Sequence, residues 1–479
     1  MPRSINTNSM QQYKIYLAGS FVETSQKLTI TNPYTGSVFA ETYLASAAEL
    51  ETAIKKAESV KNTLKDLPSF KRYQILIQIA DEIKKDREHL AKVLSNESAK
   101  PFRYAIAEID RAAQTFIIAA EECKRLPKEY ISLDWTPAGE GKEGIVKYFP
   151  VGLVAGISPF NFPLNLAVHK IAPAIASGCP IILKPASSTP LSTLELAKII
   201  DRTALPKGAV SILPMDRKTG NQLVTDDRFK LLSFTGSPVV GWEMKKNAGK
   251  KKTVLELGGN AAVIISESAD LEKAIPKCVT AGFMYSGQIC IHAQRFYVHE
   301  NVFEIFTKQF IEITKGLKFG DPENKETEIS HMIDEENAIR VETWINEAVQ
   351  QGAKILLGGA RNHSYIEPSV LTATNKKMKV CSEEVFGPVV TIEKYKTFSE
   401  AIDLINDSAF GLQAGVFTNN STEIDQAFNA IEVGGVIIND VPAFRVDHMP
   451  YGGTKDSGQG REGVKYTIMD MMEARILVK

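Results

Sequence analysis

The chain is short of the features that announce metal, membrane or nucleic-acid chemistry. Its five cysteines, Cys123, Cys179, Cys278, Cys290 and Cys381, are odd in number and scattered, with no CxxC spacing. That pattern excludes a disulfide framework and a zinc site, and it points to a reducing compartment. The seven histidines form no HxxxH or HExxH pair, so no metal is expected. No apolar run reaches the roughly 18 residues of a membrane span, and residues 1–12 are polar with no apolar signal core. A cytoplasmic location is therefore expected. The net charge of −1 gives no electrostatic reason to bind nucleic acid or an anionic membrane. GxGxxG and Walker A patterns are missing, as are internal repeats and low-complexity tracts.

What is present is an ordinary globular composition, 44% hydrophobic and 24% charged, over 479 residues, which is enough for two or three units with cores of their own. The segment Tyr13 to Val22 alternates and then reaches the turn cluster Thr31–Gly36, which predicts a small meander. Helical periodicity follows, predicting helices over 47–64, 69–99 and 104–124. The turn-rich stretch 134–144 breaks this pattern and suits a hairpin leaving the main body. From Gly144 to Gly259 strand-like runs (152–158, 180–185, 209–213, 230–235, 252–257) alternate with helical ones (164–177, 191–203, 239–248). Near-continuous apolar strands in a βαβ rhythm mean a parallel sheet covered on both faces, with ligands at its carboxyl ends. A second βα series runs from Ala262 to Asp440, with strand candidates 354–357, 389–392 and 434–438. The fold class is α/β, with two such domains flanking a cleft.

The chemistry centres on Cys290, in a Gly-containing connection between a helical stretch (270–284) and a strand (296–299). Upstream, the buried-looking strand Val254–Leu257 carries Glu256 and is followed by Gly258 and Gly259. A thiol nucleophile, a carboxylate base and flexible glycines suit acyl transfer through a thioester. Phe234-Thr235-Gly236-Ser237-Pro238 ends a strand and opens a helix, whose N-terminal amides could receive a phosphate; a plain βα turn reads equally well. Lys184 lies at a strand end, on the ligand rim. Asn161, held between aromatics and prolines in Ser158–Pro163, is either a turn former or an amide donor to an oxyanion.

The motifs PFNFP, KPAS, FTGS, LELGG, SGQICIHAQR, SEEVFGP and MPYGGTKDSGQGREG occur in one order, and from about Tyr13 onward the sequence resembles the aldehyde dehydrogenase superfamily. The resemblance implies a Rossmann-like nicotinamide-binding domain over 13–128 and 148–257. It implies an α/β catalytic domain over 258–445 and a small β oligomerisation arm over 129–147 and 464–479, in a homodimer or homotetramer. By similarity Cys290 attacks an aldehyde to give a thiohemiacetal, Asn161 and the Cys290 amide hold the oxyanion, and hydride passes to nicotinamide. Glu256 then activates water against the thioester, with Lys170 and Glu462 in a proton path behind it. Glu384 and Phe386 match residues that position the nicotinamide ribose and ring. Ser158, Phe160, Lys184, Ser187 and Arg217 are further cofactor residues on this reading, as are Gly236, Ser237, Leu257 and Gly258.

Two departures from the family pattern bear on specificity. Many NAD-preferring relatives carry a glutamate where this chain has Ser187; a carboxylate would repel a 2′-phosphate and a serine would not. With the basic Arg217 and Lys218 nearby, NADP is expected to be accepted alongside NAD, unless those two residues are only a solvated helix start. The stretch Pro442–Gly453 resembles the lactaldehyde, non-phosphorylating glyceraldehyde-3-phosphate and succinate-semialdehyde branches. Arg445, His448 and Arg295 are its expected substrate residues; Arg445 could pair a substrate carboxylate, phosphate or sulfonate, or else Asp447 or a neighbouring subunit, in which case a neutral small aldehyde such as lactaldehyde is the expected substrate. His292 is read as a tunnel-wall or core residue and Cys381 as structural. The alternative chemistry is CoA-acylating, which the presence of Glu256 disfavours; a non-catalytic scaffold is disfavoured by Cys290, Glu256 and Asn161 together.

Overall fold

The computed structural model describes residues 10–479; the segment 1–9 of the polar N-terminus lies outside the described residues. Among those residues, no helix is long and apolar enough to cross a membrane. Two large sheets organise the molecule.

The first sheet has eight strands, in the order Gly458–Gln459, Lys252–Glu256, Phe229–Thr235, Leu153–Ile157, Ile181–Lys184, Val210–Ile212, Ile15–Leu17, Ser20–Val22. The five central strands are parallel and the outer ones antiparallel. From Leu153–Ile157 the chain first builds outward through Ile181–Lys184, then returns to the other side with Phe229–Thr235. The sheet therefore reverses direction beside Leu153–Ile157, where the carboxyl ends of the strands splay into a crevice. Leu153–Ile157 is buried at every position, as expected of a strand covered on both faces.

The helix Pro163–Ser177 covers this sheet and is buried along its whole length, including His169 and Lys170. Proline at its first position and Gly178 beyond its end (φ +85°) set its limits. Its N-terminal amides have a partner supplied from elsewhere: the Glu108 carboxylate accepts from Leu164 N (3.0 Å) and Asn165 N (3.1 Å). Buried Lys100 pairs with that carboxylate. Glu97 caps Leu191–Asp201 in the same manner, through Leu191 N and Ser192 N. Two helices distant in sequence thus satisfy donors that a short local cap would otherwise serve.

The second sheet has seven strands, ordered Lys354–Leu357, Ser369–Thr372, Val389–Tyr395, Ala293–His299, Ala261–Ile265, Gln413–Phe417, Gly435–Ile438. All neighbours are parallel except the first pair. A third, antiparallel sheet of Met472–Val478, Glu143–Pro150 and Lys128–Ser132 carries exposed apolar side chains, including Tyr130, Ile476 and Leu477.

Three expectations differ locally. The helix expected over 69–99 is two, Ser69–Lys85 and Arg87–Ser98, jointed at Asp86 and stopped by Ala99 in the left-handed region. The segment Tyr13–Val22 does not form its own meander; Tyr16 pairs with Ile212 and extends the first sheet. The stretch 134–144 is the connection between Lys128–Ser132 and Glu143–Pro150 rather than the hairpin itself. Each difference turns on a long-range partner or a single junction residue, which periodicity does not encode.

Candidate active site

Cys290 follows a turn in which Tyr285 (φ +50°), Ser286 (φ +54°) and Gly287 (φ +68°) are all left-handed. Two consecutive non-glycine residues there are strained, and the surroundings hold them. Tyr285 Oη donates to Ser98 O (3.2 Å) and Ser286 Oγ to Ser330 O (2.7 Å). A Cβ on Gly287 would come within 2.1 Å of Gly387 O, so no larger residue fits that position. The turn ends on Gln288, whose carbonyl accepts from Asn161 Nδ2 at 2.9 Å. Asn161 is thereby tied to the loop carrying Cys290, with one of its two amide N–H groups still to spend.

The Cys290 thiol is half-buried and faces a cavity of about 210 Å³ lined by Phe162, Tyr285, Tyr451, Lys100, Arg111 and Arg445 among others. Burial pushes the thiol up to about 11, while a hydrogen bond with Tyr451 Oη (3.0 Å) pulls the other way. Glu256 sits at the end of its strand, buried, with neither carboxylate oxygen hydrogen-bonded among the described residues. Burial raises it well above the carboxylate range, and the nearby Glu462 carboxylate raises it further. A Cβ on Gly452 (φ +152°) would lie 2.8 Å from Glu256 Oε1, so glycine leaves the base its room. An unpaired buried carboxylate is costly as structure and apt as a general base.

Behind Glu256 runs a buried chain of charges. Lys170 Nζ donates to Thr235 Oγ1 (2.8 Å) and Glu462 Oε1 (3.3 Å). Arg445 Nη2 donates to Glu462 Oε2 (2.9 Å) and lies 3.4 Å from His169 Nδ1. His169 Nε2 lies 2.8 Å from Asp447 Oδ1, which also takes Arg111 Nη2 at 2.7 Å. With Nδ1 accepting from the guanidinium, His169 is a neutral imidazole donating through Nε2, consistent with burial lowering its pKa.

A second cavity, of about 710 Å³, opens at the carboxyl ends of the first sheet and includes Lys184, Ser187, Arg217, Lys218 and Phe234. The Lys184 stem crosses Gly220, where an added Cβ would lie 3.0 Å from its Cδ and Cε. The helix Arg217–Thr225 starts there with Arg217 and Lys218 exposed, beside the Asp216 carboxylate, which caps the helix by accepting from Thr219 N (2.6 Å) and offsets its positive end. Toward Cys290, Glu384 Oε1 accepts from Gly259 N (2.9 Å), and a Cβ on Gly258 would strike Glu384 Oε2 at 2.4 Å. Burial raises Glu384 to about 7. Phe160 and Phe386 meet edge to face at 5.7 Å, and Ser158 Oγ is buried without a partner among the described residues. Gly236 N donates to Glu256 O, Leu257 N donates to Ser457 O, and Ser237 opens the helix Pro238–Asn247. Polar side chains left unspent along a crevice with basic residues at its far end fit a nicotinamide dinucleotide.

Two expected substrate residues are not brought to the Cys290 cavity. Arg295 is buried elsewhere, its guanidinium spent on the carbonyls of Asn260 and Leu404 (3.0 and 3.1 Å). His448 is exposed and does not line that cavity. Arg445 does line it, but its internal acid is Glu462, not Asp447. His292 is a core residue, bonded through Nε2 to Gly282 O. Sequence reasoning missed Arg111, His169 and Tyr451. Tyr451 lies inside a quoted motif, whereas Arg111 sits on a helix with no motif and meets Asp447 only through the fold.

A half-buried cysteine near a buried glutamate, with a crevice at the strand ends that suits a dinucleotide, fits a nicotinamide-dependent oxidoreductase working through a covalent intermediate. The profile of the aldehyde dehydrogenase family matches residues 21–477. The chain is 42% identical to the 3-sulfolactaldehyde dehydrogenase of Priestia aryabhattai, over 98% of both chains. It superposes with TM-score 0.97 and 45% identity, over 98% of both chains, on aldehyde dehydrogenase 21 of Physcomitrella patens in complex with the reaction product succinate. On glyceraldehyde-3-phosphate dehydrogenase GapN of Methanocaldococcus jannaschii complexed with NADP, the values are 0.91 and 37%, over 95% of this chain and 100% of that one. The chain belongs to the aldehyde dehydrogenase family. It is an NAD(P)-dependent enzyme that oxidises a small aldehyde to the acid.

Proposed function

We propose that Cys290 is the nucleophile, Glu256 the base for thioester hydrolysis, and a short anionic aldehyde the substrate. The observation that carries this reading is the buried Glu256 carboxylate with both oxygens unpaired beside the Cys290 cavity. The Cys290 thiolate attacks the aldehyde carbon, forming the S–C bond and placing negative charge on the former carbonyl oxygen. The free N–H of Asn161 and the Cys290 amide hold that oxygen. Bound nicotinamide supplies the hydride acceptor; Ser187, Lys184 and Arg217 would hold its adenosine end, and Glu384 and Phe386 its nicotinamide end. Glu256 takes a proton from water as the hydroxide adds to the thioester, the C–S bond breaks, and the acid leaves. Lys170 and Glu462 pass the proton on.

Lys100, Arg111 and Arg445 line the cavity but are already paired with Glu108, Asp447 and Glu462, so an anionic substrate is favoured only by the part-exposed Arg111 guanidinium and by the buried Nε of Arg445, which has no partner among the described residues. The relatives' names divide: 3-sulfolactaldehyde, succinate and glyceraldehyde 3-phosphate are anionic, whereas the lactaldehyde of the Methanococcus relatives is neutral, so a small neutral aldehyde is the second reading. NADP is favoured by Ser187 in place of a carboxylate and by the adjacent basic helix start. The exposed apolar arm sheet supports assembly with a second copy.

The test is absorbance at 340 nm with NADP and paired aldehydes. Cys290→Ser should abolish turnover. Arg111→Gln should raise KM for succinic semialdehyde at least tenfold while leaving an unbranched neutral aldehyde unmoved; equal losses on both would sink charge recognition.

A further inference from the structure

The proposed chemistry needs a thiolate, yet Cys290 sits where ionisation is disfavoured. The groups facing its sulfur are Tyr451, Arg445, Glu384 and Glu256, and burial with the two carboxylates works against a negative sulfur. Tyr451 is the group in direct contact, with its hydroxyl 3.0 Å from Sγ. A buried hydroxyl needs a partner, and among the described residues this sulfur is the one found for it.

The position of the phenol is not adventitious. Tyr451 and Glu462 form a backbone bridge, with Tyr451 N donating to Glu462 O at 2.9 Å and Glu462 N returning to Tyr451 O at 2.6 Å. One bridge therefore places both the phenol on the thiol and the acid behind the base. The ring is packed among Tyr285, Ile289, Ile291 and Leu412, and the Arg445 guanidinium lies 3.6 Å from its centroid. A cation on the ring face withdraws charge from the phenol and makes its O–H a stronger donor. A thiol is a weak acceptor and a thiolate a strong one, so the bond gains most when the sulfur is charged.

We infer that Tyr451 is a further catalytic residue, a hydrogen-bond donor to the Cys290 thiolate, and that Arg445 strengthens this donor through the ring. Its proton stays on the phenol throughout. As the S–C bond forms, the sulfur loses its charge and the hydrogen bond weakens. When the C–S bond of the thioester breaks, the departing thiolate is received by the same donor. The inference rests on Cys290 being the nucleophile.

The test is the pH profile of Cys290 alkylation by iodoacetamide in the full chain, followed by peptide mass spectrometry, for wild type and Tyr451→Phe. Losing a hydrogen bond to an ionised group should raise the midpoint by about one unit. A less stabilised thiolate is also more nucleophilic, with a Brønsted slope of about 0.4–0.5, so the plateau rate at high pH should rise roughly threefold. At neutral pH the alkylation rate should fall about threefold. A packing defect would not raise the plateau while lowering the neutral rate. Placing 3-fluorotyrosine at position 451, with its more acidic phenol and unchanged shape, should move the midpoint down. An unmoved midpoint in Tyr451→Phe, or a raised midpoint with a lowered plateau, overturns the inference. Retained aldehyde turnover in Cys290→Ser would instead overturn the assignment of the nucleophile.

Discussion

Lys170 Nζ lies 3.3 Å from Glu462 Oε1 with both side chains buried, and this pair gives two neighbouring glutamates opposite characters. Burial alone would raise both acids. At Glu462 it is outweighed by the cations Lys170 and Arg445, which hold the carboxylate at about 2. At Glu256 burial is reinforced by the ionised Glu462 and wins. One acid is thereby the anion at rest and its neighbour a proton acceptor poised at higher pH.

Glu462→Gln should leave Lys170 and Arg445 buried without a counter-ion, a loss of about 3–5 kcal/mol. Glu462 is depressed in the folded state, from 4.5 to about 2. Its contribution is therefore complete above pH ~4.5 and is lost as pH falls through 2. Thermal melts should separate the variant from wild type most clearly at neutral pH. Removing the anion should also lower Glu256 and move the acid limb of kcat to lower pH; an unmoved limb would count against the coupling.

Glu256→Gln should reduce steady-state kcat by about 10²–10⁴-fold while leaving a burst of NADPH of about one equivalent, because acylation precedes the need for this base. The acyl-enzyme should be visible by intact-protein mass. In wild type the raised Cys290 must lose its proton before acylation, so kcat/KM should climb with pH through neutrality, and the raised Glu256 should make kcat climb likewise where hydrolysis limits. A flat kcat/KM from pH 6 to 9 would contradict the direction at Cys290.

Ser187→Glu should place a carboxylate on the cavity that holds Lys184 and Arg217. NADP affinity should fall at least tenfold while NAD changes less than threefold, as repulsion of a 2′-phosphate predicts. Fluorescence titration with the two reduced cofactors measures this without turnover. Equal losses would mean that the substitution had merely distorted the strand end.

The sequence by itself determined the parts that depend on local pattern. Apolar runs such as Leu153–Ile157 and Ile181–Lys184 encode buried parallel strands, and ordered motifs led to Cys290, Glu256 and Asn161. What only the tertiary structure decided is which charges meet. Arg111 and Asp447 stand far apart in sequence yet lie 2.7 Å apart, and nothing near either residue encodes the other. Arg295 and Arg445 both read as cavity arginines, but one is consumed by backbone carbonyls and the other lies on Tyr451. Hydrophobic periodicity records which face of an element is buried. It carries no record of which distant polar group will be buried against it, and in a low-dielectric interior that choice sets the protonation of every acid in the site.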